Sequence, residues 1–123
     1  MKLRLLIADP DVSCANLAAR GLRNCGYEVD TALHALSCLH QLQASPPDLL
    51  ILSSDLAWGG SDGILEQMRQ GELPEVPVIL MSASQVPGEP APPVAALLPK
   101  PFHLDDLVRS TQRTLACSHQ LAD

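Results

Sequence analysis

The sequence predicts an α/β domain in which helices cover both faces of a parallel β-sheet. Short apolar runs of strand length alternate along the chain with segments whose apolar residues recur every three or four positions, as on one face of a helix. Most of the apolar runs are nearly continuous, which is typical of strands buried on both faces. Alternating strands and helices require right-handed crossovers, so the connected strands lie parallel.

The first three elements follow from the pattern over residues 3–31. The apolar run at residues 3–8 predicts the first strand. Apolar positions spaced by three or four residues from Val12 to Cys25 predict a helix, which Gly26 can end. Over residues 27–31, apolar residues and threonine alternate with acidic ones, and this period of two predicts the second strand.

The middle of the chain continues the alternation. A second helical stripe covers residues 35–42 and ends before two prolines. The apolar run at residues 49–52 predicts the third strand. Ile64, Leu65 and Met68 mark a third helix, which the following glycine and proline stop.

The last part of the chain departs from this regularity at one place. Residues 76–81 and 95–98 predict the fourth and fifth strands, and residues 104–115 predict the final helix. The segment between the two strands reads SQVPGEPAPPVA and holds Pro87, Pro90, Pro92 and Pro93. A proline inside a helix costs about 3 kcal/mol, so we expect the fourth helix of the alternation to be short or missing.

Length and composition limit the classes of function. The 123 residues suit a single domain over 1–123, and the scarcity of aromatic residues (2%) indicates an aliphatic core. A net charge of −6 without a cluster of basic residues argues against a nucleic-acid partner.

The sequence also indicates where the protein acts. The start of the chain lacks a signal peptide's apolar core, and no apolar run has membrane-spanning length, so we expect a cytoplasmic protein without a membrane partner. Cysteine spacing shows no zinc motif, which favours reduced thiols packed as small hydrophobic groups.

Polar residues follow four of the predicted strands where each strand ends. They are Asp9 and Asp11, residues 53–55, Ser82 and Lys100. Function in open α/β sheets collects at the carboxyl ends of the strands, so we expect these groups to meet at one edge. Acids, a hydroxyl and an ammonium at one edge could hold Mg²⁺ beside a phosphoryl group. The first strand is not followed by a glycine-rich turn, so no organic cofactor is expected.

Together with this edge, five motifs along essentially the whole chain resemble the receiver domains of two-component response regulators, the CheY-like superfamily. They are IADPD at 7–11, PDLLIL at 47–52, the Asp62-Gly63 pair, PVILMSA at 77–83 and LLPKPF at 97–102. The resemblance implies a flavodoxin-like sandwich with strand order 2-1-3-4-5. It also implies phosphorylation on an aspartate, with Mg²⁺ held by an acid pair, a lysine on the phosphoryl group and a serine or threonine that reorients toward it.

Carried over position by position, the resemblance gives each residue a role and exposes three departures. Asp9 matches the first acid, Ser82 the switch hydroxyl and Lys100 the lysine. Pro10 stands where the second acid of the pair belongs, and Asp11 one step later either supplies a carboxylate or caps the first helix. In addition, a leucine (residue 97) occupies the usual aromatic position, and prolines replace most of the fourth helix.

The phosphoacceptor position is assigned differently by two counts. Counting forward from Pro47-Asp48 gives Ser53, whereas counting back from Asp62-Gly63 gives Asp55. A buried strand fixes register while loops absorb insertions, which favours Ser53. Serine cannot form an acyl phosphate, and its hydroxyl is a poor nucleophile without a neighbouring base.

The interpretation is therefore a degenerate pseudo-receiver that binds a histidine kinase or a downstream signalling protein and has no enzyme activity beyond self-phosphorylation at most. Its metal-binding candidates are Asp9, Asp11 and Asp55, and binding of Mg²⁺ is expected to be weakened. The alternative is a working Mg²⁺-dependent receiver that a histidine kinase phosphorylates on Asp55. A third interpretation, an unrelated flavodoxin-like cofactor enzyme, is disfavoured because the sequence shows no cofactor loop.

Overall fold

Five parallel strands form one sheet in the order β2-β1-β3-β4-β5. The computed structural model describes residues 2–56, 60–83 and 91–122, with side chains up to residue 117. In these residues four helices connect or follow the strands. The elements are β1 (Arg4–Ala8), α1 (Val12–Asn24), β2 (Glu28–Ala32), α2 (Ala35–Ala44), β3 (Leu49–Ser53), α3 (Gly60–Arg69), β4 (Val78–Ser82), β5 (Val94–Pro99) and α4 (Leu104–Ala122).

Two hydrophobic layers enclose the sheet, because successive residues of a buried strand point to opposite faces. In β1, Leu5 and Ile7 face the layer that contains α1 and α4. Leu6 and Ala8 face the layer that contains α2 and α3. The predicted three-layer, flavodoxin-like sandwich with strand order 2-1-3-4-5 is therefore confirmed. No helix among the described residues is both long and apolar enough to cross a bilayer.

Several element boundaries differ from those predicted from the sequence, among them the end of β3 and the starts of β4 and α3. β3 extends through Ser53, one residue beyond the apolar run. β4 begins at Val78 rather than residue 76, because Pro77 has no N–H to donate and contributes its carbonyl to Leu50 instead. α3 begins at Gly60, four residues before its apolar stripe, in a turn where the acid Asp62 suits a helix N-terminus.

The connection between β4 and β5 contains no helix in its described part, which is residue 83 and residues 91–93. The expectation that the fourth helix of the alternation is short or missing falls mainly on residues 84–90, which lie outside the described residues.

The cysteines were predicted to pack as small hydrophobic groups. Cys38 is buried as predicted, whereas Cys25 and Cys117 are exposed. The packing interpretation is wrong for these two thiols. Cys25 is the cap residue after α1, Cys117 lies in the last part of α4, and neither belongs to a buried cluster.

A buried hydroxyl in α4 is expected to lower stability. Thr111 is fully buried, and its Oγ1 has no hydrogen-bond partner in the part of the chain that the structure describes. An unpaired buried hydroxyl loses its bonds to water without replacement, so Thr111→Val should raise the free energy of unfolding by about 1 kcal/mol. Urea denaturation measures the change, and Thr114→Val one turn along is the matched control. A loss of stability in Thr111→Val would contradict the expectation.

Candidate functional site

The carboxyl ends of β1, β3 and β5 bring the predicted site residues together. Asp9 follows β1 directly, Ser53 is the last residue of β3, and Lys100 follows β5. The ladders align these ends, since Ala8 pairs with Leu52 and Ser82 with Pro99. The predicted convergence at one edge is therefore present in the structure.

Lys100 lies at the centre of this edge. Its Nζ donates hydrogen bonds to Asp9 Oδ2 at 2.9 Å, to Ser53 Oγ at 3.1 Å and to Asp55 Oδ2 at 3.3 Å. The side chain of Lys100 is 15% exposed and that of Asp9 is 0% exposed, so this ion pair is largely shielded from water. Such shielding strengthens the attraction and raises the cost of removing either partner.

Ser53 and Asp55 both contact the ammonium, but from different positions. Ser53 is fully buried at the end of β3, where the forward count placed the phosphoacceptor position. Asp55 lies in the turn after β3, and its side chain is 52% exposed. The backbone N–H of Asp55 donates to Ser53 Oγ at 3.1 Å, which ties the turn to the strand. The hydroxyl thus occupies the inner position and the carboxylate the outer one.

The sequence left two roles open for Asp11, a site carboxylate or a helix cap, and in the structure it caps a helix. Its Oδ1 accepts from the backbone N–H of Cys14 at 3.2 Å and caps α1. Its own N–H donates to Asp9 Oδ1 at 2.9 Å, so both oxygens of Asp9 already accept hydrogen bonds. Pro10, between the two acids, is exposed and offers no side-chain ligand. Within the described residues, no group of three or more histidine, cysteine or acidic side chains is arranged to hold a metal ion.

Ser82 and Leu97 occupy the other two positions that the resemblance singled out. Ser82 is buried at the end of β4, and its carbonyl accepts from the backbone N–H of Lys100 at 2.8 Å. This bond fixes the backbone from which the lysine reaches the site. Leu97 is half-buried in β5, pairs with Leu80 and packs against the α2–α3 side of the core. It has no ring with which to report a movement of Ser82.

Comparison with known proteins decides the family. No protein-family model matches the chain. The response regulator receiver protein CpdR of Brucella abortus (strain 2308) is 30% identical over 117 residues, which cover 91% of this chain and 96% of that protein. The chain belongs to the response regulator receiver family. It is thus a receiver domain of two-component signalling, as the five sequence motifs indicated.

Solved receiver structures share the fold of this domain. A CheY-like receiver domain protein from Methanospirillum hungatei JF-1 has a TM-score of 0.83 at 19% identity, over 98% of each chain. The receiver domain of the Francisella response regulator 1452 has a TM-score of 0.84 at 18% identity, over 95% of this chain and 99% of that one. At such identities the likeness concerns the fold alone.

Cys14 is a site residue of this receiver domain that the sequence analysis missed. Burial and a hydrogen bond to Asp9, together with the negative charge of Asp9, raise the pKa of the Cys14 thiol from 9.0 to about 11. The thiol therefore stays protonated at neutral pH beside the buried carboxylate. The sequence did contain a clue to this role. Cys14 lies three residues after the cap residue Asp11, in the first turn of α1, and a side chain at this position can face the end of the preceding strand.

The pKa of Lys100 reflects two opposing effects. Burial acts to lower it, but the hydrogen bond to Asp9 and the charge of Asp9, helped by Asp55, outweigh burial and raise the pKa above its ordinary 10.5. Lys100 is consequently a cation at neutral pH. An ammonium that holds its proton this firmly cannot serve as a general base for Ser53.

Stability of the receiver domain should fall at alkaline pH. Burial raises the pKa of Cys38 from 9.0 to about 12, and the pKa of Cys14 is raised as well. The folded protein keeps these protons where the unfolded chain releases them, so the free energy of unfolding falls as the pH rises above 9.0. We expect a loss of about 1 kcal/mol for each thiol by about pH 10.

Urea denaturation at a series of pH values measures this loss. Cys14→Ser should reduce the loss of stability between about pH 9 and pH 10, because serine does not titrate in this range, and the contribution of Cys38 should remain. Cys25→Ser, at an exposed position, should leave the pH dependence unchanged. A pH dependence that is equal in the two variants and in the wild type would show that Cys14 does not contribute.

Proposed function

We propose that this receiver domain is a pseudo-receiver, a protein-interaction module of a two-component system that works without accepting a phosphoryl group. The single observation that carries the proposal is the position of Ser53. A fully buried hydroxyl stands at the end of β3, with its Oγ 3.1 Å from Lys100 Nζ. A receiver's acyl phosphate requires a carboxylate at this place, and a serine side chain has none.

Ser53 also lacks the means to act as a nucleophile in its own right. A serine hydroxyl attacks only when a neighbouring base takes its proton. Among the neighbours that the structure describes, Lys100 is protonated, and Asp9 already accepts hydrogen bonds on both oxygens. Ser53 Oγ itself accepts from Lys100 and from the N–H of Asp55. This arrangement holds the hydroxyl as a structural acceptor.

The interaction partner in this proposal is a histidine kinase or a downstream signalling protein, bound through the unphosphorylated form. Because Lys100 joins the ends of β1, β3 and β5 without a phosphoryl group, the surface around the edge keeps one arrangement. Such a module would transmit a signal by its presence and binding, and any contribution from Mg²⁺ would be weak.

A second candidate function, phosphorylation on Asp55, is favoured by one contact. Asp55 Oδ2 lies 3.3 Å from Lys100 Nζ, and the half-exposed side chain is accessible to a donor. The position of Asp55 argues against this function. It lies two residues beyond the end of β3, in a turn that the hydrogen bond from its backbone N–H to Ser53 Oγ holds in place. A displacement of a reacting group by about 1 Å can lower the rate by about 100-fold, and two residues of chain can move the carboxylate farther than that.

The test is the intact mass of the wild-type protein after incubation with acetyl phosphate and Mg²⁺. We expect no gain of a phosphoryl group, or a weak gain confined to Asp55 and none at Ser53. Asp55→Asn is the matched control, since it keeps the size of the side chain and removes its charge. Strong wild-type labelling that Asp55→Asn abolishes would replace the proposal with the second candidate.

A further inference from the structure

We infer that the ammonium of Lys100 takes the place of a metal ion at the carboxyl edge and excludes Mg²⁺ from it. The inference rests on the proposed function, because it concerns the same site. It goes further by assigning the cation of the site to the protein itself. Lys100 would then be a positioning residue that holds Asp55 and Ser53 in one arrangement.

Each candidate carboxylate at this edge already accepts at least one hydrogen bond. Lys100 Nζ lies 2.9 Å from Asp9 Oδ2 and 3.3 Å from Asp55 Oδ2, and so joins the two carboxylates. The other oxygen of Asp9 accepts from the N–H of Asp11. The carboxylate of Asp11 caps α1. Position 10, where the family carries its second acid, is a proline. Each of the three candidate carboxylates already has at least one oxygen bonded to the ammonium or to a backbone N–H, and both oxygens of Asp9 are used in this way.

Mg²⁺ requires a geometry that this arrangement does not leave open. The ion binds about six oxygens at about 2.0–2.1 Å and gives up its water reluctantly. An ion on Asp9 Oδ2 would lie close to the ammonium, so the two cations would repel each other in a shielded site. To bind, Mg²⁺ would have to displace a lysine whose backbone is fixed to Ser82 and whose Nζ also donates to Ser53.

The experiment measures thermal unfolding in EDTA and in millimolar Mg²⁺ at equal ionic strength. The wild type is compared with Lys100→Met, which removes the internal cation, and with Lys2→Met, the same change at the exposed lysine of the chain. We expect Mg²⁺ to leave the midpoints of the wild type and of Lys2→Met unchanged. The midpoint of Lys100→Met should rise by several degrees and saturate, because a ligand that binds the folded state stabilises it.

A saturable rise in the wild type would overturn the inference, and so would a folded Lys100→Met that does not respond. If Lys100→Met does not fold in EDTA, Lys100→Gln serves in its place. Amide signals of the wild type in dilute Mn²⁺ give a second readout. Unbroadened signals at Asp9 and Ser53 support the inference, and selective broadening there contradicts it. Because this experiment contains no phosphodonor, binding of Mg²⁺ to the wild type would overturn this inference alone. Labelling by acetyl phosphate, measured separately by intact mass, would overturn the proposed function.

Discussion

Replacing Lys100 by methionine is expected to lower the free energy of unfolding by about 3–5 kcal/mol at neutral pH. The reason is Asp9, which is 0% exposed and has Lys100 as its positive partner at 2.9 Å. Methionine fills a similar volume without charge, so the change removes the ion pair and the hydrogen bonds of Nζ with little change in packing volume. The carboxylate would keep the hydrogen bond from Asp11 N–H but would be a buried charge without a counter-charge. Urea denaturation of the two proteins measures the difference.

A double substitution separates this cause from lost packing. Lys100→Met with Asp9→Asn removes both charges, and the amide of asparagine can still accept from Asp11 N–H. We expect the pair to recover most of the stability lost in Lys100→Met, because the unpaired charge is gone. Lys2→Met, at an exposed site, should change stability by no more than about 0.5 kcal/mol. Equal losses in Lys100→Met and Lys2→Met would show that the buried ion pair does not hold the strand ends together.

Pro10→Asp combined with Ser53→Asp is expected to create phosphorylation by acetyl phosphate in the presence of Mg²⁺. Position 53 lies beside Lys100 Nζ, so an aspartate there presents a carboxylate at the end of β3. Position 10 follows Asp9 and is exposed, so its new carboxylate can join the edge without repacking the core. The two added carboxylates give the edge more negative charge than the single ammonium of Lys100 can balance, and they offer the oxygen ligands that Mg²⁺ prefers. We expect labelling to exceed any weak labelling of Asp55 in the wild type by roughly 100-fold or more.

The matched control for this gain is Pro10→Asp with Ser53→Asn. Asparagine has the shape of aspartate but cannot form an acyl phosphate, so this pair should stay unlabelled. Peptide mapping should place the phosphoryl group of the first pair at position 53. A label on Asp55 in both pairs would show instead that the turn carries the acceptor.

The fold was predictable because the residue patterns of buried strands and amphipathic helices can be recognised in the sequence without any knowledge of tertiary contacts. The runs around Ile7, Ile51 and Ile79 lie in three parallel strands, and their buried register fixes which residue stands at each carboxyl end. Counting along β3 therefore reached Ser53, the end of the observed strand. The start of α3 was missed because its first turn, from Gly60, carries no apolar stripe to count.

The details of the site were less predictable, because they depend on side chains that meet only in the folded chain. The sequence offered Asp11 two roles, and the choice depends on the distance from its carboxylate to the N–H of Cys14. The contact of Lys100 with Asp55, 45 residues away in sequence, needs the conformation of the turn after β3. The thiol of Cys14 beside Asp9 likewise follows from the direction of the first turn of α1.

The most direct test of the pseudo-receiver is the amide NMR spectrum of the wild-type protein recorded during continuous exposure to acetyl phosphate and Mg²⁺. Recording in the reaction mixture detects an acyl phosphate even when it hydrolyses before a mass can be measured. A pseudo-receiver should show no change in the signals of Ser53, Asp55, Ser82 and Lys100. A second set of signals at these residues as intense as the first, absent from Asp55→Asn, would contradict the pseudo-receiver and identify a working receiver.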